Sequence, residues 1–236
     1  MINYIKRMGP SLVAVAIAFA AAFILASVIN DALPEAVIGS DLYANAVADA
    51  VKADADEIMP LVTIGEADVL LITFHSSPEI YPDGADVKND WGEVWTVTAD
   101  EIKEWYSHNN GGVTDWNLRM KQLMGLPADG EFTHFTAMMV SPKDIVRPAY
   151  STDIFTDEMR TDLPEDTEII YREWFERNII DSYFTSNRPW TRLGYTYDWG
   201  DVNTEYGLTE FVIVPNSTVI VEFTKTTDEF VEWLKK

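Results

Sequence analysis

Residues 187–200 (NRPWTRLGYTYDWG) hold the densest group of side chains that could bind a ligand or a partner. Arginines and an aspartate stand there among tryptophans and tyrosines, a combination found in ligand pockets and interface hot spots. The candidate contact residues are Arg188, Trp190, Arg192, Tyr195, Tyr197, Asp198 and Trp199. In the alternative interpretation the aromatic rings cover the edge of a core, and Arg192 pairs with a carboxylate.

Two loops carry acidic and amide side chains at a spacing that could surround Ca²⁺, which takes roughly six to eight oxygen ligands. The first set is Asp198, Asp201, Asn203 and Glu205. The second set is Asp83, Asp86, Asn89 and Asp90. Neither follows the EF-hand spacing, so a solvated acidic loop is the competing interpretation. Apart from this possible Ca²⁺, the sequence predicts no cofactor.

Most catalytic chemistries lack their motifs in this chain. The absence of cysteine excludes disulfides, zinc–thiolate sites, iron–sulfur clusters and thiol nucleophiles. His75 follows an apolar run and precedes Ser76 and Ser77, but there is no GxSxG elbow, no HExxH pair, no P-loop and no dinucleotide fingerprint. The question of catalysis stays open, and the sequence favours a protein that is not an enzyme.

The charge of the chain is strongly asymmetric, with a net value of −22. Residues 1–30 contain Lys6 and Arg7 and no acid, so the acidity belongs wholly to the rest of the chain. Such a surface repels phosphate backbones, and we therefore expect no nucleic-acid partner. Solubility in a salty exterior is the simplest explanation of the charge, and a cationic partner is the alternative.

Residues 12–29 form an uncharged apolar run in which Ser27 is the only polar residue. As a helix the run is about 27 Å long, near the thickness of the hydrocarbon layer. It exceeds the roughly 7–15 apolar residues of a cleaved signal peptide, which favours a retained signal anchor over cleavage. Basic residues precede it and acids follow it, so the positive-inside rule places the N-terminus in the cytoplasm. Residues 31–236 are then periplasmic or extracellular.

The remaining pattern predicts an α+β fold, in which helices pack on a mixed, mainly antiparallel sheet. We assign residues 1–30 to the anchor, residues 31–60 to a connector with an Ala-rich helix, and residues 61–236 to the extracytoplasmic domain. Residues 210–214 and 218–224 flank a polar turn and predict a β-hairpin. Residues 167–184 predict a helix with one inward apolar stripe. The stripe comprises Ile169, Ile170, Trp174, Phe175, Ile179, Ile180 and Tyr183.

The run PWTRLGYTYDWG, followed by YGLTEFVIVPNST, resembles an uncharacterised family of exported bacterial proteins. Upstream, LMGLP and VSPKDIVRPAYSTDI fit the same pattern, so the likeness covers roughly residues 93–224. Members of that family often carry cysteines, which this chain lacks. The resemblance implies one domain outside the cytoplasm and implies no activity.

Two functions follow from these features. The favoured one is an accessory or structural subunit, docked on other membrane-protein subunits through its helix and outer surface. The alternative is an anchored envelope hydrolase or a small-ligand-binding protein with its site near Trp190–Trp199. The alternative predicts a concave pocket in which Arg192, Tyr197 and Asp198 converge.

Overall fold

A computed structural model describes residues 35–236 of the chain. The predicted membrane helix at residues 12–29, its orientation and its cleavage lie outside these residues. Within the described part, no helix is both long enough and apolar enough to span a bilayer. The contacts of the chain divide after Asp41, and the fold below is that of Leu42–Lys236.

The domain is built on a seven-stranded sheet in the order β2-β9-β4-β1-β3-β8-β5. Every pair of neighbours in it is antiparallel, which confirms the α+β class. Its strands are β1 (Val69–His75), β2 (Asp86–Lys88), β3 (Val94–Thr98), β4 (His134–Val140), β5 (Ile145–Val146), β8 (Phe211–Ile213) and β9 (Thr218–Thr226). A separate two-stranded ribbon pairs β6 (Tyr195–Tyr197) with β7 (Tyr206–Thr209).

Five α-helices accompany these strands in the described residues. They are α1 (Glu35–Ala50), α2 (Ala99–Asn109), α3 (Trp116–Leu123), α4 (Ile169–Ile180) and α5 (Thr227–Leu234). Helix α2 is capped at its N-terminus, because the Thr98 side chain accepts a hydrogen bond from the Glu101 amide. Helix α5 begins with a full capping box between Thr226 and Glu229.

The sheet carries a core on each face, because successive side chains of a strand point to opposite sides. Ile72 of β1 joins a cluster with α2, α3 and α5, whereas its neighbour Leu71 joins a second cluster. Loops cover the second cluster with Ile64, Tyr81 and Ile154. The two cores fix the sheet from both sides, and the candidate site is positioned by that rigid frame.

The predicted hairpin of residues 210–224 is wrong. β8 pairs with β3 and β5, whereas β9 pairs with β4 and β2, so three strands lie between them in the sheet. Ile213 of β8 and Val219 of β9 nevertheless share the second core cluster, which indicates that the sheet curls. The polar turn exists, but it joins two strands of the curled sheet instead of two paired strands.

The single inward stripe predicted for residues 167–184 is also wrong. At about 100° per residue its seven members are distributed around the whole helix. Phe175 is buried, whereas Ile169, Ile170 and Ile180 are exposed. The α-helix ends at Ile180 and continues as one π-helical turn, Asp181–Thr185, which buries Tyr183.

Candidate functional site

Arg192 is directed into the protein and completes the end of α1. Its guanidinium donates hydrogen bonds to the backbone oxygens of Ala50 (3.0 Å) and Val51 (2.7 Å) and to the Tyr150 hydroxyl (3.0 Å). The last carbonyls of a helix lack partners within it and carry partial negative charge, so a cation suits this position. Tyr183 also donates to Ala50, at 2.8 Å. Arg192 therefore acts as a C-cap, and in the described residues it pairs with no carboxylate.

Asp198 is likewise committed to an internal interaction. Its two carboxylate oxygens accept hydrogen bonds from Arg119 at 2.8 and 2.6 Å, and one of them also accepts from the Gly200 amide at 3.0 Å. Asp198 is buried, and the Arg119 guanidinium also lies over the Trp105 ring. This two-pronged pairing satisfies the acid and fixes α3 against the segment after β6.

The three residues expected to converge therefore do not. Arg192 caps α1, Asp198 pairs with Arg119, and the Tyr197 hydroxyl donates to Asp49 at 2.8 Å. Trp199 is also buried, and its indole donates to the Leu126 carbonyl at 2.9 Å.

A cavity of about 220 Å³ opens beside this segment instead. Four of the predicted contact residues line it: Arg188, Trp190, Tyr195 and Tyr197. Trp95 and Thr96 of β3 form another wall, and Asn178, Asp181 and Ser182 from α4 and its π-helical turn close the side. The structure thus gathers part of the predicted set around one concave site. The indole of Trp190, which is itself buried, is held by a hydrogen bond to the Pro148 carbonyl at 3.1 Å.

Two polar atoms buried at this cavity find no hydrogen-bond partner among the described residues: Glu210 Oε2 and Asn178 Nδ2. Burial raises the pKa of Glu210 from its usual 4.5 to about 8, although the positive charge of Arg188 opposes the shift. At neutral pH this side chain is thus mostly a neutral acid that can donate as well as accept. Unpaired buried polar atoms cost about 1–3 kcal/mol each, so two of them in residues that line one cavity indicate an incomplete site.

The other charged groups of the cavity have defined positions. Glu93 accepts a hydrogen bond from the Trp174 indole at 2.6 Å, and Asp181 accepts one from the Ser186 hydroxyl at 2.9 Å. Arg188 is exposed, and its side chain forms no hydrogen bond or ion pair with any residue of the range 35–236. The cavity therefore presents one cation and two exposed acids around a neutral acid and an amide.

Sequence reasoning missed Glu210 and Asn178. A signal for Glu210 existed, since it is a lone acid within the apolar run LTEFVIV. Nothing in the local sequence marks Asn178, because the residues around it do not show whether an asparagine on this helix points into the protein or toward solvent.

Neither predicted calcium set gathers three carboxylates in the described part of the chain. Asp198 is held by Arg119, Asp201 accepts from the Asn203 amide at 2.8 Å, and Asp83 accepts from the Thr224 amide at 2.7 Å. Carboxylates instead meet where Glu205 approaches Asp49 and Glu57, with one oxygen of each within 4.8 Å of the others. Exposed acidic groups of this kind are common without an ion, and the cluster assigns no metal.

The acidic cluster is tied to two tyrosines of β6. Tyr195 donates to Glu205 at 3.1 Å, and Tyr197 donates to Asp49. Burial and the neighbouring Glu57 raise the pKa of Glu205, while the hydrogen bond from Tyr195 opposes that shift. Hydrogen bonds from tyrosine hydroxyls offset part of the repulsion among the acids, so the cluster joins the β6–β7 ribbon to the end of α1 and the short helical turn Ala55–Glu57.

His75 is bonded as a structural histidine. Its Nε2 lies 2.7 Å from the Thr136 hydroxyl, and its Nδ1 accepts from the Ser77 amide at 3.1 Å. Burial, together with charge repulsion from His134, lowers the pKa of His75 to about 4. Because both ring nitrogens have partners, neither Ser76 nor Ser77 has a free base here.

Comparison with protein-family models, with curated proteins and with solved structures finds no significant match to this chain. The resemblance to exported bacterial proteins therefore stays a prediction, and the geometry of the cavity carries the functional argument.

Proposed function

We propose that this chain is a small-ligand-binding domain, held on the outer face of a membrane by residues 12–29, with its ligand in the cavity beside Trp190. One observation carries this proposal. Glu210 and Asn178 both line this cavity, and each has a buried side-chain atom without a hydrogen-bond partner in the described part of the chain, Oε2 and Nδ2. A fold leaves such atoms unpaired where something else completes their hydrogen bonds.

The chemistry of the two atoms favours a hydroxyl group on the ligand. A hydroxyl accepts a hydrogen bond from an amide nitrogen and donates one to a carboxyl oxygen, so hydroxyl groups of a ligand can satisfy both Asn178 and Glu210. The indole rings of Trp95 and Trp190 supply apolar surface for the carbon skeleton. These features together fit a compact polyhydroxylated molecule such as a monosaccharide.

Charge favours a neutral ligand over an anion. Arg188 is the one cation among the lining residues, and it is opposed by Glu93 and Asp181. The chain as a whole carries −22, which lowers the local concentration of anions. Arg188 is then a hydrogen-bond donor to ligand oxygens instead of the partner of a charged group.

The binding test is calorimetric titration of the full chain in detergent with neutral monosaccharides and polyols, and with the corresponding uronic acids. We expect saturable binding of a neutral compound and weaker binding of its acidic counterpart. Asn178→Leu and Glu210→Leu should each weaken binding roughly tenfold, because each removes a group that hydrogen-bonds to the hydroxyls of the ligand.

The control is Glu222→Leu, which makes the same chemical change at an exposed position of β9. Binding should be unchanged in this variant. No saturable binding across the panel, or equal affinity in all three variants, would mean that the two unpaired atoms hold only water. Release of product from a glycosidic substrate would instead support the hydrolase alternative.

The membrane part of the proposal rests on the apolar run and its flanking charges. The intact mass of protein extracted from membranes tests it, since an anchored chain retains residues 1–30. A mature mass lacking them would show cleavage. The accessory-subunit hypothesis stays a prediction, but most of the aromatic segment on which it relied is turned inward.

A further inference from the structure

Helix α4 and the π-helical turn that follows it expose a row of large apolar side chains. Ile169, Ile170, Ile180 and Phe184 are 64%, 76%, 59% and 77% exposed. At about 100° per residue, the three isoleucines lie within one arc of the helix, away from the buried Phe175. Exposed apolar groups are common singly, but a row along one helix face marks an interaction surface.

Charged residues stand between the two ends of this row. Glu173 and Arg177 lie on the same face, both exposed, and neither forms an ion pair within residues 35–236. From its first residue to its last, the exposed face of α4 therefore carries apolar, acidic, basic and again apolar side chains. This order is self-complementary, because reversing the helix places acid opposite base and isoleucine opposite isoleucine.

We propose that α4 is the interface of a homodimer, in which it packs antiparallel against α4 of a second copy about a twofold axis. Ile170 of one copy then lies opposite Ile180 of the other, and Glu173 lies opposite Arg177. An isologous interface requires this pairing, in which each contact occurs twice. Ile169 and Phe184 extend the apolar contact at the two ends.

The charge pattern favours a second copy over the other occupants of such a face. The phosphates of a lipid surface could pair with Arg177, but they are repelled by Glu173 and by the acidic domain. The apolar residues 12–29 of the same chain offer a charged partner to neither Glu173 nor Arg177. A second α4 supplies the opposite charge at each position.

Disulfide cross-linking tests the register directly, because the chain has no cysteine of its own. Full-length Ile170→Cys and Ile180→Cys chains, carrying tags of different size, are mixed in detergent and oxidised. We expect a cross-linked dimer of the two variants and little product from either alone. Identical positions lie about 15 Å apart along the antiparallel pair, and disulfides join Cα atoms up to about 7 Å apart.

Val202→Cys serves as the control for random collision, since Val202 is fully exposed on the loop after Trp199. Equal cross-linking of Ile170→Cys with itself would indicate a parallel arrangement and overturn the proposal. No product from the mixture above the Val202→Cys level would also overturn it, whether a lipid surface or another segment of the chain covers the face.

A charge swap tests the ion pairs in the same full-length protein. Glu173→Arg and Arg177→Glu should each raise the dimer dissociation constant at least about tenfold, because each places like charges opposite one another twice. The double variant Glu173→Arg/Arg177→Glu should restore it, because the pairs are re-formed with reversed sign. Sedimentation measures all four proteins, and failure of the double variant to recover would contradict the antiparallel register.

Discussion

Two polar sites formed around the same aromatic segment differ in one respect. At the Arg119–Asp198 pair both carboxylate oxygens have partners, whereas at the cavity Glu210 and Asn178 each keep a buried atom without one. Both sites contain an arginine, an acid and aromatic rings, so residue types do not distinguish them. The two sites are distinguished by whether their buried polar atoms all have hydrogen-bond partners. A site whose atoms all have partners stabilises the fold, whereas one with unpaired atoms is suited to a ligand.

The difference predicts opposite responses to removal of the acid. Loss of a satisfied acid leaves a cation unpaired, whereas loss of an unsatisfied acid removes a group that the fold does not use. Variants at the two sites therefore compare a structural role with a ligand-binding role in one molecule.

The largest effect is expected at the saturated site. Asp198→Ala should lower the free energy of unfolding by about 3–5 kcal/mol, because it leaves the largely buried Arg119 guanidinium without its partner. Chemical denaturation of the full chain measures the loss. Glu222→Ala is the matched control, and it should change stability by less than about 0.5 kcal/mol as an exposed substitution. A small loss at Asp198 would show that Arg119 finds solvent or another partner.

The cavity, where Glu210 lacks a hydrogen-bond partner within residues 35–236, should affect the pH dependence of the free energy of unfolding. The pKa of Glu210 is raised in the folded protein, so the folded state keeps a proton that the unfolded state releases. Stability should therefore fall as pH rises from about 4.5 to 8, by on the order of 4 kcal/mol.

Glu210→Gln removes the ionisable group and should flatten that fall, whereas Glu222→Gln should leave it unchanged. Denaturation midpoints measured between about pH 5 and pH 9 decide the matter. If the slope of Glu210→Gln equals that of the native chain, Glu210 ionises freely at the cavity and the argument for a neutral acid there fails.

The parts of the fold that follow local rules were predictable from the sequence. The α+β class and the Thr98 cap depend on periodicity and capping, which act within a few residues. The hairpin prediction failed because pairing is decided by the whole sheet, where β3 outcompetes β9 as the neighbour of β8. The stripe prediction for α4 failed because its apolar residues lie all around the helix, where some are buried and others are exposed.

The site was predictable only as a region. Residues 187–200 do reach a cavity, but the sequence does not distinguish Arg188, which faces it, from Arg192, which caps a helix. Which arginine caps the helix depends on the position of the C-terminal end of α1 in the folded domain. Asn178 and Glu210 belong to the site through tertiary contacts between α4 and the residue before β8, which no spacing in the sequence encodes.

An intermediate effect is expected at the helix cap. Arg192→Leu should lower stability by about 2 kcal/mol, because the carbonyls of Ala50 and Val51 lose a charged donor. Thermal unfolding measures it, and hydrogen exchange at the last turn of α1 localises it. Arg188→Leu is the matched control: it should leave stability nearly unchanged and weaken ligand binding. The reverse outcome would exchange the roles assigned to the two arginines.

The smallest effect is expected in the acidic cluster of Asp49, Glu57 and Glu205. Its hydrogen bonding is intermediate between that of the Arg119–Asp198 pair and that of the cavity. Tyr197→Phe removes the hydroxyl that donates to the exposed Asp49, and should cost about 0.5–1 kcal/mol. Tyr195→Phe should cost more, because the ring is buried and its hydroxyl lies within hydrogen-bonding distance of both Glu205 and the Glu57 carbonyl. Urea denaturation resolves the two. An equal loss would show that solvent replaces both hydroxyls, and the cluster would then be a solvated acidic surface with no part in holding the ribbon to α1.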